Sequence, residues 1–416
     1  MPIQASELAK CWPFCYRSRY RSRGALYLSK KWGGCQEFEV ELLDKHLYIC
    51  YHVIVPDNDN GIPWTEVAPV MNLHNKRPTI KQVAKAAGIS TQTVSRVINN
   101  RPDVAEETRQ RIQQVIEELG YQPSALARSL IQQRSYTLGV VTAGLKYIGP
   151  SRTLDGITSQ AEKMDYTLLL KNLDRFDSDN VQPILQTLLS HHVDGIVWAV
   201  PQVGDNHCWV DTVLSEIPVP IVFLTMEKHP NLSIVHYDNY LGGKIATEHL
   251  LGQGYRRIGH ISGPMDWWES RQRKAGWQSV LAQHGIEAQE AHWAEGNWSS
   301  SSGDAAFHQL LEQYPEMEAV FVANDQMALS VLQISCREGI AVPSQLGVVG
   351  FDGLTETPYY WPPLTTVIQD QHLLGCTAVE ETVRAIEKTR DHDLPVGSRT
   401  IVLTPELVVR QSSLRI

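Results

Sequence analysis

Residues 79–99 read Thr79-Ile80-Lys81-Gln82-Val83-Ala84-Lys85-Ala86-Ala87-Gly88-Ile89-Ser90-Thr91-Gln92-Thr93-Val94-Ser95-Arg96-Val97-Ile98-Asn99, and their pattern decides the reading of the chain. Ile80, Val83, Ala84 and Ala87 recur at i, i+3, i+4 and i+7, one face of a helix, and Gly88 is the residue type that ends one. Ser90 can cap a second helix whose Val94, Val97 and Ile98 face inward, leaving Thr91, Gln92, Ser95, Arg96 and Asn99 for contact. The pattern is helix, tight glycine turn, helix. A third helix is predicted from about Glu106 to Leu119, with Thr108, Ile112, Val115, Ile116 and Leu119 on one face and Gly120 as its stop. Three helices this short share one small core.

Charge is distributed to match. The 416-residue chain has a formal net charge of -9, yet residues 71–135 carry ten Lys/Arg against five Asp/Glu. Residues 1–70 balance at eight against eight, and residues 136–416 carry 19 against 33. A basic module on an acidic body attracts phosphates at one end only. With 43% hydrophobic and 20% charged residues the composition is that of an ordinary soluble protein. The longest apolar runs, 196–200 and 219–224, fall far short of the roughly 20 residues of a membrane-spanning helix. Lys10 precedes a brief Trp/Phe/Cys cluster followed by arginines, so no secretory signal is read and a cytoplasmic location is expected. Of the seven cysteines, Cys208, Cys336 and Cys376 stand singly, and Cys11, Cys15, Cys35 and Cys50 fit no common zinc spacing. No metal or other cofactor is predicted.

Residues 1–70 show neither sustained helical nor strand periodicity. Met71 stands just ahead of the first patterned segment, which makes the extension either a start-site artefact or an accessory segment. Mass spectrometry of the native N-terminal peptide distinguishes the two.

After Tyr121-Gln122-Pro123-Ser124 comes about two turns of helical sequence, 125–131, too short to be stable alone in water. Strands and helices then alternate. Strands are expected at 136–142, 167–171 and 195–199, with helices at 154–164 and 181–191. A second series has helices at 241–252, 271–284, 303–312 and 326–338 and strands at 257–262, 319–323 and 347–350. Such alternation predicts parallel sheets covered on both faces, here as two α/β halves with a cleft beyond the carboxyl ends of the strands. The expected class is therefore α/β: a small all-α helix-turn-helix domain at 77–121, a hinge helix and linker at 122–135, and a two-lobed domain at 136–416.

The motif at 79–99, joined by Thr108-Arg109, Leu119-Gly120-Tyr121 and Pro123-Ser124-Ala125-Leu126-Ala127-Arg128-Ser129-Leu130, resembles the lactose-repressor (LacI/GalR) family of transcription regulators. The similarity continues through Asp238-Asn239, Gly254-Tyr255-Arg256-Arg257-Ile258, Ala323-Asn324-Asp325-Gln326-Met327-Ala328, Val349-Gly350-Phe351-Asp352 and Pro363-Leu364-Thr365-Thr366-Val367, covering about 77–412. The resemblance implies a periplasmic-binding-protein-like two-lobed body, double-stranded operator DNA and a small effector as partners, and a homodimer.

A second helix in the major groove would present Thr91, Gln92 and Arg96 to base edges, while Thr79, Ser95 and Asn99 suit phosphates. Tyr121 and Ala127 belong to the same DNA-binding set by resemblance. The resemblance also implies that two hinge helices pair in the minor groove with Leu130 wedged between base steps. In the cleft, Arg271 resembles the family's arginine, Asp352 can accept from two neighbouring hydroxyls, and Asn324 can both donate and accept. Trp298 offers a flat apolar face for a pyranose ring, so a sugar is favoured over an anion. Against these stand plainer roles: Asp325 as a helix cap, Trp298 as a packed aromatic, Arg271 paired with Glu269, and Trp267-Trp268 stacked on either a ligand or a partner subunit. The lactose repressor's cleft aspartate is matched here by Thr225, which weighs against a lactose-type galactoside.

The reading is a sequence-specific regulator, a repressor by resemblance, of carbohydrate-metabolism genes. Two other classes are weighed: a periplasmic sugar receptor, which would carry a signal peptide and lack the 77–131 pattern, and a regulator answering a purine. No nucleophile with a positioned base and no phosphate-gripping glycine motif points to an enzyme; His260 and His308 read as structural. Whether ligand releases DNA or tightens the grip stays open. No leucine heptad follows Leu407-Val408-Val409-Arg410, which predicts a dimer rather than a coiled-coil tetramer.

Overall fold

The structure, a computed structural model, describes the backbone of residues 17–21, 25–32, 36–43 and 46–50 and the full residues 78–98, 101–121, 134–176, 181–390 and 397–415. These form two compact units, Met1–Pro123 and Ser124–Ile416. Asn99, Ala127 and Leu130, and the hinge at 122–133, lie outside the described residues.

In the first unit, β1 (Arg17–Arg21), β2 (Ala25–Trp32), β3 (Gln36–Leu43) and β4 (His46–Cys50) pair as an antiparallel meander. This corrects the expectation of no regular element in 1–70. The period-two signal in β1, Arg-Ser-Arg-Tyr-Arg, is carried by charge, but β3 alternates Glu37, Glu39 and Glu41 with Phe38, Val40 and Leu42, the apolar/polar alternation of a strand.

The same unit holds α1 (Ile80–Ala87), α2 (Thr91–Ile98) and α3 (Glu106–Leu119). Gly88 and Gly120 take φ of 68° and 60°, the left-handed conformation that a Cβ disfavours, and their amides bond back to the last turns of α1 and α3. Gln82 Oε1 accepts from the Thr79 amide at 2.7 Å and hydroxyl at 3.1 Å, fixing the start of α1. The Thr93 amide donates to Ser90 Oγ at 3.1 Å at the start of α2. Val83, Ala84, Ala87, Val94, Val97 and Ile112 make the buried core, with Ile80, Ile98, Val115 and Ile116 partly buried against it; Leu119, expected on the inward face, is exposed at the last turn of α3.

The second unit has two lobes. The first carries a wholly parallel sheet in the order β15-β9-β8-β7-β5-β6. Its strands are β5 (Thr137–Ala143), β6 (Thr167–Leu173), β7 (Gly195–Ala199), β8 (Ile221–Leu224), β9 (Ser233–Tyr237) and β15 (Thr400–Leu403). Helices α4 (Ile148–Lys163), α5 (Val181–Ser190) and the short α6 (Val210–Val213) belong to it. The second lobe orders its sheet β11-β10-β12-β13-β14-β16, parallel except for the last pair. Its strands are β10 (Ile258–Ser262), β11 (Trp293–Glu295), β12 (Ala319–Val322), β13 (Gly347–Asp352), β14 (Thr365–Ile368) and β16 (Glu406–Val408), with helices α7 (Asn239–Gly252), α8 (Trp268–Gln283), α9 (Ser300–Gln313) and α10 (Asp325–Glu338). The long α11 (Gln371–Arg390) returns to the first lobe and packs on α4. The chain thus passes between lobes after β9, after β14 and after β15, so the lobes are tied by three strands of backbone.

Each lobe seats one helix pair through glycines. A Cβ on Gly156 of α4 would lie 2.0 Å from the His372 carbonyl, and one on Gly375 of α11 would lie 2.2 Å from that of Thr153. In the second lobe a Cβ on Gly243 of α7 would lie 2.2 Å from the Arg273 carbonyl, and one on Gly276 of α8 would lie 2.3 Å from that of Tyr240. Backbone-to-backbone approach this close requires residues with no side chain.

Candidate functional site

On α2, Thr91, Gln92 and Arg96 are exposed and Ser95 is half-buried, while Val94 and Val97 anchor the opposite face. Arg96 reaches Asp103 at 3.3 Å, both side chains about half exposed, a pairing that water and salt weaken readily. The helix therefore presents donors and acceptors on a rigid face, as reading base edges requires. Thr79 is exposed, but its hydroxyl is engaged with Gln82 at 3.1 Å. Tyr121 packs against the three-helix core, so its ring serves the fold of this unit.

The second candidate region lies between the lobes. A pocket of about 340 Å³, its open mouth included, is lined from the first lobe by Gly149, Pro150, Thr153, Ala199, Pro201, Leu224, Thr225 and Gln371. Trp267 and Glu269 line it from the second. The lobes also touch through backbone here: the Gly204 amide donates to the Asp266 carbonyl at 2.9 Å and the Trp268 amide to the Gln202 carbonyl at 3.0 Å. Aromatic rings bridge the same seam. Trp267 meets Tyr147 edge-on at 5.7 Å, Phe176 at 4.9 Å and Trp298 at 5.6 Å between centroids.

A largely buried polar layer lies next to the pocket residue Glu269. Arg273, 2% exposed, donates from Nε to Asn239 Oδ1 at 2.8 Å and from Nη1 to the Ala323 carbonyl, and its Nη1 lies 3.5 Å from Asp352 Oδ1. Gln369 Nε2 donates to the same Asp352 oxygen at 2.8 Å. Burial pushes the Asp352 carboxyl up, and Arg273 and Gln369 pull it back. Behind it Asp325 accepts from Thr366 Oγ1 at 2.6 Å and from the Leu354 amide at 2.8 Å, yet burial and the neighbouring Asp352 raise it to about 8. Asp325 thus ties β14 to the loop after β13.

Backbone strain gathers at the same place. Thr225, Trp298 and Asp352 adopt φ of 55°, 72° and 105°, three of the six non-glycine residues with positive φ among those described. Such conformations persist where surrounding structure enforces them and cluster at functional sites; for the β-branched Thr225 the strain is greatest.

The predicted cleft residues divide. Asp352 stands in the polar layer. Arg271 does not: its Nη1 donates to the Met265 and Asp266 carbonyls at 3.1 and 2.8 Å, and the arginine beside Asp352 is Arg273. Helical phase separates the two. The buried residues of α8 are Trp268, Glu269, Ser270, Arg273, Gly276, Trp277, Val280 and Leu281; Glu269, Arg273 and Trp277 follow one another at intervals of four, and Arg271 falls off that face. Asn324 is committed to the fold, its Oδ1 accepting from the Met327 amide at 2.9 Å as the cap of α10 and its Nδ2 donating to the Trp298 carbonyl at 2.9 Å. Trp298 packs over Gly263 and edge-on to Trp267, and of these two equally buried indoles it is Trp267 that lines the pocket. Trp268 is buried too, edge-on to His236 at 5.2 Å. His260 is sandwiched between Trp277 and Phe321 and burial lowers it to about 3, in keeping with a structural role.

Residues 79–124 match the family model described as "Bacterial regulatory proteins, lacI family", and residues 247–413 match the "Periplasmic binding protein-like domain". The lactose operon repressor of Escherichia coli (strain K12) is 31% identical over 74% of this chain and 85% of its own. This chain belongs to the lacI family of bacterial regulatory proteins. Among solved structures of the family, the lac repressor dimer bound to operator and the anti-inducer ONPF superimposes with a TM-score of 0.72 at 30% identity, covering 82% of this chain and all of that one. The complex of the transcriptional regulator CelR with cellobiose gives a TM-score of 0.59 at 29% identity, covering 81% of this chain and all of the other. The lacI-family matches fall on the helix-turn-helix and on the second unit. No helix among the described residues is long and apolar enough to cross a membrane.

Proposed function

We propose that this lacI-family regulator is a cytoplasmic homodimeric repressor that reads a near-palindromic operator through Gln92 and Arg96 of α2. A small saccharide held between the lobes controls its grip. The observation that carries the reading is the pocket at the seam of the two lobes, walled by Trp267, with strained Thr225 in its lining and the Arg273–Asp352 pair acting on its lining residue Glu269. Asp352 accepts where sugar hydroxyls donate, and the indole of Trp267 covers the apolar face of a ring.

Support from relatives is of the same kind. The structural neighbours include one repressor dimer on its operator and one regulator holding cellobiose. A ligand that touches both lobes binds one lobe arrangement better than another, and that difference in affinity is what can change operator binding. The test is a gel shift on DNA flanking the gene, repeated with lactose, cellobiose, glucose, galactose, ribose and hypoxanthine. A specific complex altered by a saccharide supports the proposal; a response to hypoxanthine alone replaces the saccharide with a purine.

A further inference from the structure

Glu269 is the one pocket-lining carboxylate. It sits in the first turn of α8, is 9% exposed, and lines the pocket opposite Thr153, Thr225 and Gln371 of the first lobe. Its Oε2 is buried and has no hydrogen-bond partner among the described residues. A buried carboxylate oxygen left without a donor is costly, and such groups are ordinarily satisfied by protein, water or ligand.

The surroundings say what kind of donor fits. Arg273 lies near enough on the same helix face to act on Glu269, but its hydrogen bonds go to Asn239 and Ala323 and its charge pairs with Asp352. Arg273 and Arg152 both act on Asp352, so the cations of this region are already matched by carboxylates, and an anionic group placed against Glu269 would meet a carboxylate with no cation left over to pair with it. Around Glu269 the wall is mostly apolar, Trp267, Leu224, Pro150, Pro201 and Ala199, with hydroxyl and amide groups from Thr153, Thr225 and Gln371 between. A flat apolar plate beside one carboxylate and a few neutral hydrogen-bonding groups suits a ring that is apolar on its face and hydroxylated at its rim.

Resting on the saccharide reading above, we infer that Glu269 is a specificity-determining residue of the effector site, accepting from two adjacent hydroxyls of an unphosphorylated sugar and selecting against phosphorylated and other anionic effectors. Because Glu269 stands on the second lobe and faces the first, a sugar held this way bridges the lobes. Burial raises the Glu269 carboxyl to about 7. Hydroxyl donors favour its charged form, so binding draws on chemistry that the unliganded site leaves unmet.

The experiment uses the full-length protein and direct binding by calorimetry, with lactose, cellobiose, glucose and galactose as probes and glucose 6-phosphate as the anionic comparison. The saccharide that binds is then retested as its monodeoxy derivatives, in wild type and in Glu269→Gln. The expected result is a loss of about 10- to 100-fold for the deoxy sugar in wild type, the scale of one hydrogen bond to a charged group, a similar loss for the parent sugar in Glu269→Gln, and no further loss when the two changes are combined. Urea midpoints of both proteins confirm that the variant is folded, and Glu269→Asp serves as the second variant if it is not. Parent-sugar binding unchanged in the folded variant, fully additive losses, or tighter binding of glucose 6-phosphate overturns the role of Glu269 while leaving a saccharide effector standing. Absence of binding by every saccharide in the wild-type protein overturns the saccharide reading itself.

Discussion

Exchanging the two arginines of α8, one at a time, separates a cleft residue from a surface one. Arg273 is 2% exposed, donates to Asn239 and Ala323 and faces Asp352 at 3.5 Å. Arg273→Met keeps the length of the side chain but leaves the half-buried Asp352 with only Gln369 and the more distant Arg152, and Asn239 Oδ1 and the Ala323 carbonyl without that donor. Removing a charged donor from partly buried acceptors costs about 1.5–3 kcal/mol. Arg271→Ala removes hydrogen bonds to two loop carbonyls that water can replace, and should cost under about 1 kcal/mol. The double variant Arg273→Met with Asp352→Asn removes the carboxylate charge as well and should regain about 1–2 kcal/mol relative to Arg273→Met alone. Urea midpoints with a shared slope report these differences, and calorimetry with the binding saccharide reports the site. Loss of effector binding in Arg273→Met and its retention in Arg271→Ala is the expected pattern. Equal destabilisation by the two single changes, or effector loss confined to Arg271→Ala, would refute the assignment.

Three further outcomes follow from the same structure. Glu269 and Asp325 are raised to about 7 and 8, so the native state holds protons that the unfolded chain has shed, and stability falls as pH rises from about 5 to 8; His260, lowered to about 3, opposes this below its usual range because the unfolded chain then takes up a proton the core refuses. The urea midpoint should accordingly be higher at pH 5.5 than at pH 7.5 with a shallower difference in Glu269→Gln, and a midpoint that rises with pH contradicts it. Gly156→Ala and Gly243→Ala place a methyl within about 2.2 Å of a carbonyl on the facing helix and should each destabilise by about 1–3 kcal/mol or more, read by thermal unfolding; unchanged midpoints would show that the helix pairs are not seated as described. Arg96→Ala should cost operator binding about 1–3 kcal/mol with little effect on random duplex, whereas Asp103→Ala, which only frees Arg96 from an exposed pairing, should leave stability within about 0.5 kcal/mol; a uniform loss on both DNAs in Arg96→Ala would make it a phosphate contact.

What was legible in the sequence was whatever had a strong period. The glycine-stopped helices at 80–87 and 106–119 and the alternating strands and helices of both lobes follow from hydrophobic spacing, since burial of one face fixes both type and phase. The strands at 221–224, 233–237, 293–295, 365–368, 400–403 and 406–408 are not among those expected, being short and shaped by their neighbours in the sheets rather than by local pattern, and neither is the long helix at 371–390. The structure sets Arg273, not the expected Arg271, beside Asp352, because Arg273 and not Arg271 lies one helical turn beyond Glu269 on the buried face, a face that sequence alone does not reveal in so evenly mixed a helix. Asn324 and Trp298 looked like ligand groups because amide and indole chemistry suits sugars. Only the fold reveals that the amide caps α10 and that the indole packs over Gly263. Glu269 gave no signal of its own, since an unpartnered carboxylate can be recognised only once its would-be partners are placed.

The central claim is that the three-helix module reads DNA sequence under the control of the cleft. Fluorescence anisotropy of the full-length protein on labelled DNA from the region flanking its gene, against random duplex of equal length and salt, tests it most directly. The account predicts a preference of about 10³-fold or more for one fragment, and a shift in that preference when the binding saccharide is added. Equal affinity for both duplexes, unmoved by any saccharide, would contradict it.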